Sequence, residues 1–165
     1  YRRDEPISAI VEAAATMPDL HFAITGPAIR YSGSEAELPS NVRLTGFLLD
    51  PEYWRLLARA SIVCDLTLKS DCLVCGAYEA LAVGKPMVLS DNPPTRRIFG
   101  SVAVLTDSEA GGIASAIREA VVRRDKLAVN AESLRTDYPG RWESQASEVW
   151  SAIAAPAGRG ERSAA

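Results

Sequence analysis

Five short runs that read as strands, nearly free of polar interruption except at Asn41–Gly46 and separated by stretches of helical spacing, constrain this chain more than any other feature. They are Leu20–Thr25, Asn41–Gly46, Ser61–Leu66, Pro86–Ser90 and Val102–Leu105. A strand covered by helices on both faces shows no polar alternation, so runs of this kind predict a parallel sheet with helical crossovers. The spacers agree. Ile7, Ile10, Val11 and Ala14 carry helical spacing toward Met17 and Pro18, behind a candidate N-cap at Asp4 and a proline at position 6. Tyr53, Leu56, Leu57 and Ala60 form the stripe of a helix opened by Pro51, and Ala28 to Ser40 reads as a loop. Later helices are expected over Thr95–Phe99, about Ser108–Ala128 and Glu132–Thr136, with a last one after Gly140 carrying Trp142, Val149, Trp150 and Ile153. The expected fold class is α/β, a doubly wound parallel sheet flanked by helices over residues 1–153, with a disordered tail over 154–165. Such sheets usually open on a strand, whereas this chain opens on a helix. A first strand just ahead of Tyr1 is therefore expected, and Tyr1 in place of Met points to a piece of a longer protein.

Composition narrows the function classes. The formal charge of −3 argues against a general electrostatic grip on nucleic acid. No apolar run approaches the ~20 residues that span a bilayer, so no transmembrane segment is expected. Cys64, Cys72 and Cys75 are odd in number and close together, which speaks against a disulfide framework and for a reducing, cytoplasmic setting. The full-length protein is expected in the cytoplasm or at the inner face of the membrane, as a peripheral protein.

The densest chemistry lies after the third run. Asp71 and Glu79 stand eight positions apart, across a loop that opens into a helix. This places them at the carboxyl end of the sheet, where open α/β folds bind ligands, beside a helix amino end suited to a phosphate. The same spacing fits two solvated acids flanking a helix start. Cys72-Leu73-Val74-Cys75 is formally a C-x-x-C, yet zinc with Cys64 would need a fourth ligand, and His21 belongs to a different strand–loop unit. Small side chains lining the loop are the preferred reading, with no metal and no cofactor expected. Ser90 and Ser101 show no hydrolase triad spacing, and neither the dinucleotide nor the P-loop glycine pattern occurs.

Three stretches together resemble a known family: Asn41-Val42-Arg43-Leu44-Thr45-Gly46-Phe47, then Tyr53-x-x-Leu56-Leu57-x-x-Ala60, then Asp71-x7-Glu79-Ala80-Leu81-Ala82-x-Gly84-Lys85-Pro86. They resemble the donor-binding carboxyl-terminal half of GT-B retaining glycosyltransferases, most closely family 4 (glycosyl transferases group 1), over about residues 1–153. The resemblance implies a Rossmann-like domain that binds a nucleoside-diphosphate sugar, in a setting such as polysaccharide biosynthesis. It implies that Glu79 binds the nucleotide ribose and that Asp71 contacts the transferred sugar. The backbone amides of Cys72, Leu73, Val74, Cys75 and Gly76 would face the sugar and diphosphate. Phe47 and Leu48 would receive the base, and Arg2 or Arg3 the diphosphate. The family's first glutamate is Asp71 here, and Ser8 stands near the place of its diphosphate-binding lysine, for which Lys69 is the candidate replacement. The family also requires an amino-terminal acceptor domain, so the partners implied are a nucleotide sugar and that missing domain or a partner subunit, without which the isolated chain is expected to be inactive. A non-catalytic scaffold domain and a non-hydrolysing nucleotide-sugar epimerase are the alternatives; the single histidine counts against the epimerase. A response-regulator fold would need an acidic cluster near the first strand, and the sequence has none there.

Overall fold

A computed structural model describes residues 4–27, 33 and 35–154. In chain order the elements are α1 (Ile7–Ala15), β1 (Phe22–Thr25), β2 (Val42–Gly46), α2 (Asp50–Arg59), β3 (Val63–Asp65), α3 (Cys75–Ala82), β4 (Met87–Ser90), α4 (Pro93–Phe99), β5 (Ala103–Thr106), α5 (Ala110–Val122) and α6 (Arg124–Ala154). Arg2, Arg3 and the expected tail beyond Ala154 lie outside the described residues. Among those residues no helix is long and apolar enough to cross a membrane.

Parallel sheets flanked by helices make the predicted α/β architecture. β1 lies beside β2, with Phe22 opposite Val42. β4 lies between β3 and β5, with Val88 opposite Cys64 on one side and Val104 on the other. Every residue of β4 is buried, as expected of a central strand covered on both faces. One continuous sheet was the expectation, and here the structure corrects it: β1-β2 and β3-β4-β5 are separate sheets with no strand pair joining them. The third apolar run is corrected as well. Its strand is only Val63–Asp65, and Cys64 within it is exposed. Both departures have one cause, because β1 and β3 face each other across an open cleft.

Two cores sandwich the strands. On one face Ala13 of α1 and Met17 just beyond its end meet Ile113, Ile117 and Ala120 of α5 over Val88 and Val104. On the other, Ala77, Ala80 and Leu81 of α3 meet Phe99, Ala131 and Leu134 over Met87 and Leu89. The carboxyl end of α1 is closed from a distance. The buried Asn41 side chain donates to the carbonyls of Ala14, Met17 and Leu20 at 3.0, 2.8 and 2.9 Å, holding β2 in register against the first helical unit.

Helix ends differ from the sequence reading in three places. Asp4 is not a cap; α1 follows Pro6 without any side-chain cap. The expected helix over Ser108–Ala128 divides at Arg123, which lets α6 leave the first core after Leu127 and enter the second at Ala131. The segments expected before and after Gly140 are one helix that runs through Pro139. Proline there removes one N–H from the Arg135 carbonyl. Leu127, Ala131, Leu134 and Tyr138, spaced three or four apart, hold the helix across the core to that point. Beyond it Trp142, Val149, Trp150 and Ile153 are all more than half exposed.

Candidate functional site

The strands end at Thr25, Gly46, Asp65, Ser90 and Thr106, and polar side chains gather beyond those ends. Asp65 is the most perturbed carboxylate among them. Its Oδ2 accepts the Gly76 N–H of α3 at 2.9 Å. Burial raises its pKa from the ordinary 3.8 to about 6; the Gly76 bond opposes the rise, and the charges of Glu5 and Glu79 add to it. No side chain caps α3 at Val74, so Asp65 is the anion that meets this helix amino end. The approach requires glycine. A Cβ on Gly76 would stand 2.5 Å from Asp65 Oδ2.

Glu79 lies four residues past the first residue of α3, just over one turn in. Its Oε2 accepts a short hydrogen bond from the Tyr53 hydroxyl of α2. Burial first, then this bond and the charges of Glu79 and Asp65, keep the Tyr53 phenol protonated well above its ordinary range. Tyr53 is thus a permanent donor that clasps α2 to α3 and fixes the Glu79 carboxylate. At the far end of α3, Gly84 has φ +65° and the Lys85 N–H returns to the Ala80 carbonyl at 2.9 Å. This glycine closure turns the chain sharply into Pro86 and β4.

The loop between β3 and α3 is pinned from below. Thr67 N–H donates to Ser90 Oγ at 2.8 Å, and the Ser90 and Ser108 hydroxyls share a bond of 2.8 Å. Asn92 Oδ1 accepts the Thr95 N–H at 2.9 Å as the cap of α4, while its Nδ2 donates to the Cys72 carbonyl at 3.1 Å. Asn92→Ala is expected to cost about 1–2 kcal/mol, the cap and the loop anchor together. Asn92→Asp keeps an acceptor for the cap and is expected to lose only part of that. Equal urea midpoints for the two variants would refute the dual role.

The sequence-predicted residues fall as follows. Glu79 and Gly76 come together with Tyr53 and Asp65 at the β3–α3 edge. Of the amides expected to face a ligand, that of Gly76 is engaged by Asp65. Cys72, Leu73 and Val74 are half-buried, and Asp71 and Cys75 are exposed. Lys69 turns away to Asp4, with Nζ 3.2 Å from its Oδ2, and draws that carboxyl below the ordinary range. Phe47, 85% exposed, and the half-buried Leu48 occupy the turn from β2 into α2. Among the described residues no group of three or more His, Cys, Asp or Glu side chains is placed to hold a metal. Sequence reasoning missed Asp65, Tyr53, Thr67 and Asn92. Asp65 did carry a signal, a lone acid inside an apolar run. Ser90, weighed there as a nucleophile, supports the loop.

A family model described as glycosyl transferase-like matches residues 2–141. Among solved structures, Anabaena HepE in complex with UDP-glucose is similar at TM-score 0.71 and 19% identity, covering 92% of this chain and 46% of that one. Sucrose-phosphate synthase from Thermosynechococcus elongatus is similar at TM-score 0.65 and 21% identity, covering 92% and 43%. The spinosyn forosaminyltransferase SpnP gives 0.57 and 19%, covering 82% and 34%. The chain thus spans less than half the length of each of these structures. No curated protein matches it by sequence.

Proposed function

The chain belongs to the glycosyl transferase-like family, and from that premise we propose that it is the donor-binding half of a retaining glycosyltransferase that moves a sugar from a nucleoside diphosphate to an acceptor. The observation that carries the reading is Glu79, a carboxylate fixed by Tyr53 at the sheet's carboxyl edge beside the amino end of α3. A carboxylate so placed can take two vicinal hydroxyls, as a ribose offers, while nearby amides and the helix dipole suit a diphosphate. That the similar HepE structure holds UDP-glucose is consistent with this choice of ligand. In this reading Asp71 contacts the transferred sugar and the amides of Cys72 to Cys75 face its phosphates. Phe47 and Leu48 border the base, and Arg2 or Arg3 meets the diphosphate. No metal or cofactor is called on. Positioned donors would stabilise the charge that leaves on the diphosphate. The acceptor half is supplied by further polypeptide or a partner subunit, and the full protein works in the cytoplasm or at its membrane face.

Calorimetric titration of the chain with uridine, guanosine and adenosine diphosphates is expected to give saturable binding of one of them. Glu79→Ala should weaken it about 10- to 100-fold, the loss of a charge-assisted hydrogen bond. Unchanged affinity would remove Glu79 from the site. A scaffold reading, favoured by the Lys69–Asp4 pairing that diverts the one lysine beside the site, predicts no binding at millimolar concentration.

A further inference from the structure

We propose that the recess at the amino ends of β3 and β4, at the pole opposite the sheet's carboxyl edge, binds a small ligand through a phosphate dianion. It holds roughly 280 Å³, and Arg59, Ser61, Gly84, Lys85, Arg124 and Asp125 line it. Three cations thus face one acid, in a chain whose formal charge is −3. No aromatic side chain lines the recess, so a nucleobase finds no platform there.

The fold does not use up these cations. Among the described residues Arg59 and Lys85 have no ion-pair or hydrogen-bond partner, and neither has the Ser61 hydroxyl. Asp125 pairs with its chain neighbour Arg124 at 3.2 Å while 92% of its side chain stays exposed. Such a pair is worth little and yields to a stronger acceptor. Glu132, whose carboxylate approaches Gly84, is held by Arg135. Cations placed where α2 and α3 end do suit the carbonyl ends of those helices. Backbone groups already take those carbonyls, however: the Ala60 N–H reaches Leu56 and Leu57, that of Gly84 reaches Leu81, and that of Lys85 reaches Ala80. The side chains of Arg59 and Lys85 are left for a ligand.

The recess is also held in shape. Arg59 ends α2 and Arg124 opens α6, while the Val63 N–H donates to the Pro86 carbonyl at 3.0 Å and ties the segment of Ser61 to that of Lys85. The first N–H groups of α6 have no acceptor within the helix, and they add its positive end. A guanidinium takes two phosphate oxygens at once, the lysine supplies a point charge, and the hydroxyl offers a further donor. With Asp125 set against one of the three cations, two positive charges remain, which a dianion neutralises and a single carboxylate does not.

Inorganic phosphate tests this without any nucleotide, so the outcome is independent of the donor-site reading. In an NMR titration of the full chain, phosphate is expected to move the Ser61, Gly84, Lys85 and Arg124 amides and the Arg59 side-chain N–H along one saturating millimolar curve. Sodium chloride at matched ionic strength should not. Movement of the Gly76 amide, about 12 Å away at the other end of α3, reports the carboxyl edge instead. Arg59→Gln with Lys85→Gln should weaken the recess curve about tenfold or more, with the urea midpoint unchanged. Should that double variant fail to fold, Arg124→Gln, a change at an exposed helix start, should weaken the curve in the same direction. A soluble phosphomonoester and a lipid headgroup offer the same group, and phosphatidylcholine vesicles carrying phosphatidic acid separate them. Cosedimentation that phosphate competes away makes the lipid the source; its absence beside an intact phosphate curve makes the source soluble. No saturation at the recess amides, an equal response to chloride, or unchanged affinity in the variants would overturn the proposal.

Discussion

Asp65→Asn is expected to stabilise the fold by about 3 kcal/mol at pH 7.5 and by close to nothing at pH 4. The ordinary aspartate pKa of 3.8 is raised to about 6 in the folded chain, chiefly by burial and further by the charges of Glu5 and Glu79. Between those two values the folded protein holds a proton that the unfolded chain has released. Stability therefore falls as pH rises through that window, and the loss is complete once pH exceeds the folded pKa. Integrated, the shift corresponds to about 3 kcal/mol. Asparagine removes the buried charge and keeps an acceptor for the Gly76 N–H; the stronger bond to the carboxylate is already contained in the raised pKa, so the whole shift appears as the gain. The net gain follows. In urea unfolding at pH 4, 5, 6 and 7.5, the difference between wild type and variant should open between pH 4 and 6 and then level off. A difference constant with pH would show that Asp65 does not titrate as described.

That a residue so costly in charge sits at a strand end marks the limit of what the sequence discloses. The α/β class was legible because Met87-Val88-Leu89 and Ala103-Val104 lack polar alternation, which only a doubly covered strand permits. Gly84 entered only as part of the family pattern, and its φ of +65°, which closes α3, came from the structure. Tyr53 was not legible. At helical spacing with Leu56 and Leu57 it reads as one more core aromatic, and its hydroxyl acquires meaning only when α3 brings Glu79 against it. Asn92 likewise reads as a turn residue, and its second bond, to a carbonyl twenty positions back, is a tertiary event. The division at Arg123 and the run through Pro139 were set by which core α6 had to reach, so tertiary packing overrode local propensity.

Gly76→Ala is expected to destabilise the chain by about 2–4 kcal/mol and to lower diphosphate affinity at least tenfold, although alanine is the better helix former. The new Cβ would lie 2.5 Å from Asp65 Oδ2, 3.1 Å from its Cγ and 3.3 Å from its Cβ. A short, largely buried aspartate at the end of β3 has little room to retreat. Relief comes either by giving up its bond to the Gly76 N–H or by displacing the start of α3. The first leaves a carboxylate without its backbone donor; the second moves Glu79 relative to Tyr53 and shifts the amides beside it. Propensity returns only about 1 kcal/mol against these costs. In an Asp65→Ala background the two nearest contacts vanish and the remaining one, Cβ to Cβ at 3.3 Å, needs a shift of a few tenths of an ångström. Gly76→Ala should then be neutral or slightly stabilising. The cycle over the two positions is thus expected to show a coupling of about 2 kcal/mol or more, present at pH 4 as well as at pH 7.5 because its main part is steric. Additive effects would mean that Gly76 is required for something other than its approach to Asp65.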